Sequence, residues 1–494
     1  MDKIVDPVVE QTSATSRAAA RPVIPIQLTH DEVALYEIRR KIHPRSVHGW
    51  FAGWRIALVV ATQLVFYGLA WLTWNGRQAV LFDLGARKFY VFGMLLWPQD
   101  VIYLAVLLII AALSLFLFTA IAGRLWCGYA CPQTVYTEIF MWIERRIEGD
   151  RIARLRLDGA PMSLRKVSIR GAKHAAWLAI AAWTGCTFVG YFTPIRELGA
   201  AVLSWRLGPW ETFWVLFYSI ATYANAGWLR EQVCKHMCPY ARFQSVMFDK
   251  DTLVITYDGA RGDPRGSRSK SVDPRSKGLG DCVDCGICVQ VCPTGIDIRN
   301  GLQYECIGCA ACIDGCDQVM DKMGYARGLI RYTTATALAQ GLGTRAMWRR
   351  VLRPRTVVYA AVLAAITVAG GASLAMRNPL RVDVIRDRGA LAREAAPGRI
   401  ENVYRVQVMN TDETARRYAI DVAGLPGIQV VGVAQPIELQ AASTRLLALR
   451  LQAPVDAGQA TAPAAGAHKI ELTVRAVDDD AVVRHEPTTF IIPR

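Results

Sequence analysis

Cys282-Val-Asp-Cys285-Gly-Ile-Cys288-Val-Gln-Val-Cys292-Pro293, followed by Cys306-Ile-Gly-Cys309-Ala-Ala-Cys312-Ile-Asp-Gly-Cys316-Asp317, is the stretch that organises this chain. Each run has the spacing Cys-x2-Cys-x2-Cys-x3-Cys. Three thiolates on one tight loop can cap three corners of an iron–sulfur cubane. The fourth, three residues on, points away toward a second cubane. The spacing therefore assigns Cys282, Cys285, Cys288 and Cys316 to one 4Fe–4S cluster, and Cys306, Cys309, Cys312 and Cys292 to the other. Gly286, Gly308, Ala310 and Ala311 let backbone N–H groups approach the sulfides, which affects the potential. Zinc needs only four thiolates and does not explain the order. Asp317 stands where the first run has Pro293; this alters a turn and removes no ligand.

Working outward, the chain has 13 cysteines, of which only Cys186 stands apart from short-spaced groups. A secreted disulfide scaffold would be cysteine-dense throughout, yet nothing after Cys316 is a cysteine. Grouped thiols in a reducing compartment read as metal or cluster ligands. The net charge of +15 could suggest nucleic acid, but the basic residues flank apolar runs, as membrane topology requires; nucleic-acid binding is set aside.

Five uncharged apolar runs are long enough to cross a bilayer: Ile56–Trp74, Val101–Ala122, Ala175–Ile195, Thr212–Leu229 and Thr356–Met376. Tryptophans 50, 54, 71, 74, 205 and 210 mark their ends, as in an interfacial belt. Phe89–Trp97 is too short to span and reads as an interfacial or re-entrant piece. Residues 1–50 carry no apolar leader core, so the N-terminus is expected to stay in the cytoplasm. Loop 123–174 has ten Lys or Arg and 230–355 has nineteen, against three in 75–100 and two in 196–211. The basic segments are thus expected to be cytoplasmic and the C-terminal region periplasmic. That region alternates in Val403–Met409 and Ile470–Val474, with turn residues between, and predicts a β-sandwich that must hold by its core alone. The expected organisation is a polar segment 1–50, a membrane region 51–250, a cytoplasmic two-cluster α+β domain 251–335, a linker and fifth transmembrane helix 336–376, and a periplasmic immunoglobulin-like sandwich 377–494.

Cys127-Gly-Tyr-Ala-Cys131-Pro132 follows the second apolar run, and Cys234-Lys-His-Met-Cys238-Pro239 follows the fourth. Spacing i, i+4 puts two thiols on one helical face. The proline disfavours helix just before itself and suits the opening of a new one. Each motif is expected at a break between a membrane helix and a cytoplasmic helix. Soft thiolates there suit Cu(I) or a redox dithiol. His236 and Met237 are weaker candidate copper ligands; His236 reads first as a solvated interfacial residue. Cys186 reads as a small core residue. Only His174 lies near an apolar run and no Cys-x-x-Cys-His occurs, which argues against haem b and haem c. No flavin or nicotinamide fingerprint appears, so electrons are expected from a separate donor.

The cysteine segment, over about residues 275–325, resembles the two-cluster bacterial ferredoxin domain. The full order of spans, paired Cys-x3-Cys-Pro motifs, cluster repeat and sandwich resembles the cytochrome c oxidase accessory protein family called CcoG, FixG or RdxA. The stretch Asn402–Asn410 resembles that family's immunoglobulin-like domain. The front half is also similar to polyferredoxins of denitrification and periplasmic nitrate reduction. The resemblance implies a cupric reductase of the bacterial inner membrane that supplies Cu(I) for assembly of a cbb(3)-type cytochrome c oxidase. Cys127, Cys131, Cys234 and Cys238 would be the place of copper reduction. The implied partners are membrane lipid, the oxidase or its copper-delivery factors, and a cytoplasmic or quinol electron donor; a homo-oligomer is left open. Two other readings stay in view: a quinol-linked electron-transfer subunit of a respiratory reductase, and a redox-sensing assembly scaffold.

Overall fold

A computed structural model describes residues 41–387, 392–455 and 463–493. The 1–40 part of the polar N-terminal segment lies outside the described residues. Among the described residues, three helices are long and apolar enough to cross a membrane. These are α1 (Trp50–Leu69), α2 (Val101–Ala122) and the last helix, α15 (Pro354–Ala375). They show little amphipathicity because they are apolar all round, as expected where lipid replaces water. Leu64, Leu107, Leu108 and Val368 are accordingly exposed.

The first span begins and ends earlier than the apolar run suggested, because Thr73–Trp74 is a strand, β1, paired with β2 (Arg77–Gln78). The stretch Phe89–Trp97 is not a re-entrant piece. It supplies β4 (Lys88–Val91) and β5 (Met94–Leu96) to an antiparallel sheet with β3 (Val80–Asp83). The backbone finds its hydrogen bonds there in a sheet, so it has no need of helical geometry at the membrane edge.

After α2 come α3 (Leu125–Tyr129), α4 (Pro132–Ile147), α5 (Arg151–Gly159), α6 (Leu164–Val189), α7 (Ile195–Leu203) and α8 (Pro209–Thr222). The third and fourth apolar runs fall on α6 and α8, which pack along each other. α6 opens in a basic stretch that includes Arg165, Lys166, Arg170 and Lys173. α8 passes into a π-helical turn, Tyr223–Leu229. Neither therefore has the uniform apolar length of α1, α2 and α15. Both run between the same two ends as those helices. At one end Gln78 Nε2 donates to Gly190 O and the Tyr191 hydroxyl donates to Phe66 O.

That end also carries the C-terminal sandwich. One sheet has the order β12–β14–β10–β8, with β9 added to β10; the other is β13–β11–β15–β16. Here β8 is Leu380–Arg386, β9 is Arg393–Ala396, β10 is Arg399–Asn410, β11 is Arg416–Ala423, β12 is Gln429–Val431, β13 is Ile437–Leu439, β14 is Thr444–Pro454, β15 is Gly466–Ala476 and β16 is Val483–Ile492. Period-two alternation turns Tyr404, Val406 and Val408 inward against Leu447, Leu449, Ile470, Leu472, Val474 and Phe490, which is the core of a cysteine-free sandwich. The sandwich is pinned to the 73–100 segment. Glu413 accepts from Arg77 at 2.5 Å and from Trp74 Nε1 at 3.2 Å, and Leu95, Trp97 and Met409 form a shared apolar cluster. Buried Asp100, before α2, takes Arg377 at 2.7 Å and also Arg381. One carboxylate thus joins α2 to the exit of α15.

Candidate functional site

The opposite end of the helices holds every grouped cysteine. Strands β6 (Val254–Tyr257) and β7 (Ile330–Thr333) pair antiparallel and close the segment between them. Within it, Cys288 lies on α11 (Ile287–Gln290), while Cys312 and Cys316 lie on α12 (Ala311–Met323). The two runs fold alike. Asp284 (φ 52°) and Gly286 (φ 64°) flank Cys285; Gly308 (φ 69°) and Ala310 (φ 59°) flank Cys309. Left-handed residues on both sides of the middle cysteine make the concave array of backbone N–H groups that receives anionic sulfur clusters. Ala310 adopts this conformation although it carries a Cβ, at a cost that the surrounding loop must over-determine.

All the cysteines are free thiols, and they fall into two sets. Burial first, then Cys309, Cys306, Cys292 and Cys288, push the Cys312 thiol well above its ordinary value. Burial first, then Cys288, Asp317, Cys282 and Cys285, push Cys316 up to about 12. Cys292 thus lies near the second run and Cys316 near the first, with Cys288 close to Cys312 and Cys316 alike. Among the described residues no three His, Cys, Asp or Glu side chains converge on a single-ion site. The donors and the N–H arrays fit two 4Fe–4S clusters. Cys309 packs toward the helices, with Cys127 and Cys234 against it, so the second set is the inner one; in the first set Cys285 is exposed and Cys282, Cys288 and Cys316 are buried.

The paired motifs meet the inner set. Cys131 and Cys238 are extended (ψ 128° and 108°) and are the N-caps of α4 and α9 (Pro239–Met247), with Pro132 and Pro239 opening those helices. Cys127 lies on α3 and Cys234 on a short π-helical turn, Val233–Met237. The i, i+4 face is thus broken at its second thiol in each motif. Cys127 and Cys234 both pack against the cluster that contains Cys309, Ile307 and Val291, alongside Cys312. A Cβ on Gly128 would lie 2.7 Å from Gly308 O and 2.9 Å from Cys309 Cα. The first motif therefore touches the second cysteine loop backbone to backbone. His236 and Met237 are exposed. Cys186 packs with Val189, Leu198 and Val215.

Several residues that sequence motifs did not mark hold this junction. Buried Arg124 donates to Tyr304 O, just before Cys306, and to Ala241 O, just after Pro239. One guanidinium thus ties both motifs to the inner cysteine loop. The Cys127 thiol donates to Gln244 Oε1 at 3.3 Å, and buried Gln244 continues to Thr119. Burial first pushes Cys127 up to about 12 and Cys234 up to about 11, with neighbouring thiols adding to it. Under the junction, buried Glu144 pairs with Arg154 at 3.0 Å and Arg230 at 2.6 Å. Burial alone would raise its carboxyl; Arg230, Arg154 and Lys173 outweigh burial and hold it below the usual carboxylate range. The cysteine spacings are legible as motifs, whereas a lone Arg, Gln or Glu gives no signal before the chain is folded.

Three family models match: a 4Fe–4S dicluster domain over residues 229–335, a 4Fe–4S binding domain over 104–149, and the Ig-like fold at the C-terminus of FixG over 371–493. The nitrogen fixation protein FixG of Rhizobium meliloti is 40% identical over 423 residues, covering 79% of this chain and 81% of the relative. RdxA of Cereibacter sphaeroides is 40% identical over 449 residues, covering 88% and 92%. The ferredoxin-type protein NapH of Haemophilus influenzae is 26% identical over 213 residues, covering 38% and 66%. A crystal structure of a FixG-related protein from Vibrio parahaemolyticus aligns over 23% of this chain and 97% of its own, at 25% identity and a TM-score of 0.21.

Proposed function

This chain belongs to the FixG/RdxA family of iron–sulfur electron-transfer proteins, and from that premise we propose that it is a membrane cupric reductase, Cu(II) to Cu(I), that serves assembly of a cbb(3)-type cytochrome c oxidase. The observation that carries the reading is the junction itself. Cys127 and Cys234, one from each motif, pack on the cysteine loop of the inner set.

In this reading Cys282, Cys285, Cys288 and Cys316 hold the outer cluster, and Cys306, Cys309, Cys312 and Cys292 hold the inner one. When bound, the clusters supply one-electron transfer, which matches a one-electron substrate. Copper is that substrate. Its place is beside Cys127, Cys131, Cys234 and Cys238, where soft sulfur favours Cu(I) over Cu(II). No three of these thiols form a ready cage, so two at a time would grip the ion and release it to a carrier. Buried Gln244 orients the Cys127 thiol, and Arg124 fixes its distance from the inner loop. His236 and Met237, both exposed, would serve at most at the entrance.

Five crossings are proposed: α1, α2, α6, the α8 helix with its π-helical turn, and α15. Their common ends support the count, and the basic residues of 123–174 and 230–355 put the cysteines on the cytoplasmic side of the inner membrane. The sandwich would then meet the oxidase or its copper-delivery factors in the periplasm.

The test is Cu(II) reduction by dithionite-reduced protein, followed by loss of the Cu(II) EPR signal. Replacing Cys127, Cys131, Cys234 and Cys238 together by alanine is expected to slow it by at least about tenfold while both clusters stay. An unchanged rate would overturn the assignment.

A further inference from the structure

The first Cys-x3-Cys-Pro motif has two faces. Gly128 presses on the Cys309 loop. Trp126, Tyr129 and Ala130, from the same motif, line a cavity of about 560 Å³ on the other side. The remaining walls come from the start of α1 (Trp50, Trp54), the end of α2 (Phe118), Tyr332 of β7, and Trp348 of α14 (Thr344–Val351). The cavity therefore lies where two candidate spans meet the cysteine domain, level with the membrane surface.

We propose that this cavity binds a membrane quinol and is where electrons enter the protein. This rests on the iron–sulfur half of the reading above and not on copper. The size lies within the range of small-molecule sites, which are mostly apolar with a few placed polar groups. Among the described residues lining it none is charged, so an anionic headgroup would find no counter-ion. Its walls are flat indole and phenyl faces, which suit a planar ring. The polar groups include two phenols beside the indole N–H groups. The Tyr332 hydroxyl donates to Gly308 O at 2.5 Å. The Tyr129 phenol lines the same cavity, and its oxygen can accept from a quinol O–H. Gly308 adjoins Cys309, so Tyr332 joins the cavity wall to the cysteine loop.

The balance is complete. Quinol gives up two protons and two electrons and leaves as quinone. Tyr129 can accept a hydrogen bond that orients one quinol O–H, and both protons go to water at the cavity mouth. The two clusters, when bound, would take the two electrons, one each.

The test uses the full-length protein in nanodiscs. Decylubiquinone should quench the fluorescence of the lining tryptophans saturably. Trp348→Ala, and separately Phe118→Trp, which fills the cavity, should each weaken that quenching by at least about tenfold. Leu107→Ala, on the lipid face of α2, should keep wild-type quenching. Quenching that never saturates, or that is equal in all variants, means that only lipid acyl chains enter and overturns the site. In parallel, decylubiquinol is added anaerobically and cluster bleaching is followed. Clusters reduced by dithionite but inert to quinol would overturn the proposal and leave copper reduction untouched. Quinol bleaching with no loss of Cu(II) would uphold the site and overturn the copper reading instead.

Discussion

Gly128→Ala is the change that best tests how the membrane motif and the cysteine domain are joined. The added methyl would lie 2.7 Å from Gly308 O, 2.8 Å from its carbonyl carbon and 2.9 Å from Cys309 Cα. Ordinary contact begins near 3.4 Å, so α3 or the loop must retreat by about 0.7 Å at the oxygen. Both sides are backbone, and neither can swing aside as a side chain would. Overpacking of this kind costs roughly 1–3 kcal/mol. If it is relieved by undocking, the docked fraction falls by about 5- to 150-fold. Cys127 packs on that junction and would become more accessible. The assay is the rate of maleimide labelling of Cys127, in a variant whose other motif cysteines are serine, together with thermal unfolding in detergent. Labelling should accelerate by at least about fivefold and the unfolding temperature should fall. Gly53→Ala is the control, because nothing lies within 4 Å of its Cβ. Equal labelling and equal stability in Gly128→Ala, Gly53→Ala and wild type would refute the backbone-to-backbone junction.

Three further outcomes follow from the structure. Glu144→Gln removes the charge that Arg154, Arg230 and Lys173 share and should cost about 3–5 kcal/mol, read as a lower unfolding temperature. The wild-type contribution has the sign of a depressed carboxyl: full above the ordinary carboxylate pKa, and lost as pH falls through the lower folded value. Asp100→Ala leaves Arg377 and Arg381 without their shared carboxylate; limited proteolysis should cut faster between α15 and the sandwich, while iron content stays constant. The raised thiols of Cys127 and Cys234 stay protonated throughout pH 6–8, so copper must displace protons. Cu(I) retention, measured against a competing chelator, should strengthen by about tenfold per pH unit for each thiol engaged; a flat pH profile would mean that neither thiol binds.

The cysteine spacing alone marked the two ferredoxin-type runs, because a short loop leaves thiolates few ways to cap a cubane. Hydropathy alone located α1, α2 and α15, since a span needs only length and apolarity. Alternation alone revealed β10 and β15. These are local signals, written within one turn or one strand. Phe89–Trp97 forms strands rather than a re-entrant piece, because its docking surface around Met409 lies far along the chain, outside any short window. Arg124 was silent because its acceptors, Tyr304 O and Ala241 O, are 180 and 117 residues away. Gly128 looked like one more small residue until Gly308 was folded against it. The sequence by itself therefore determined which atoms can bind iron and which helices can meet lipid. Only the tertiary structure decided that the two Cys-x3-Cys-Pro motifs lean on the inner cysteine loop. That contact depends on backbone surfaces brought together across the chain, and such surfaces leave no period or spacing to read.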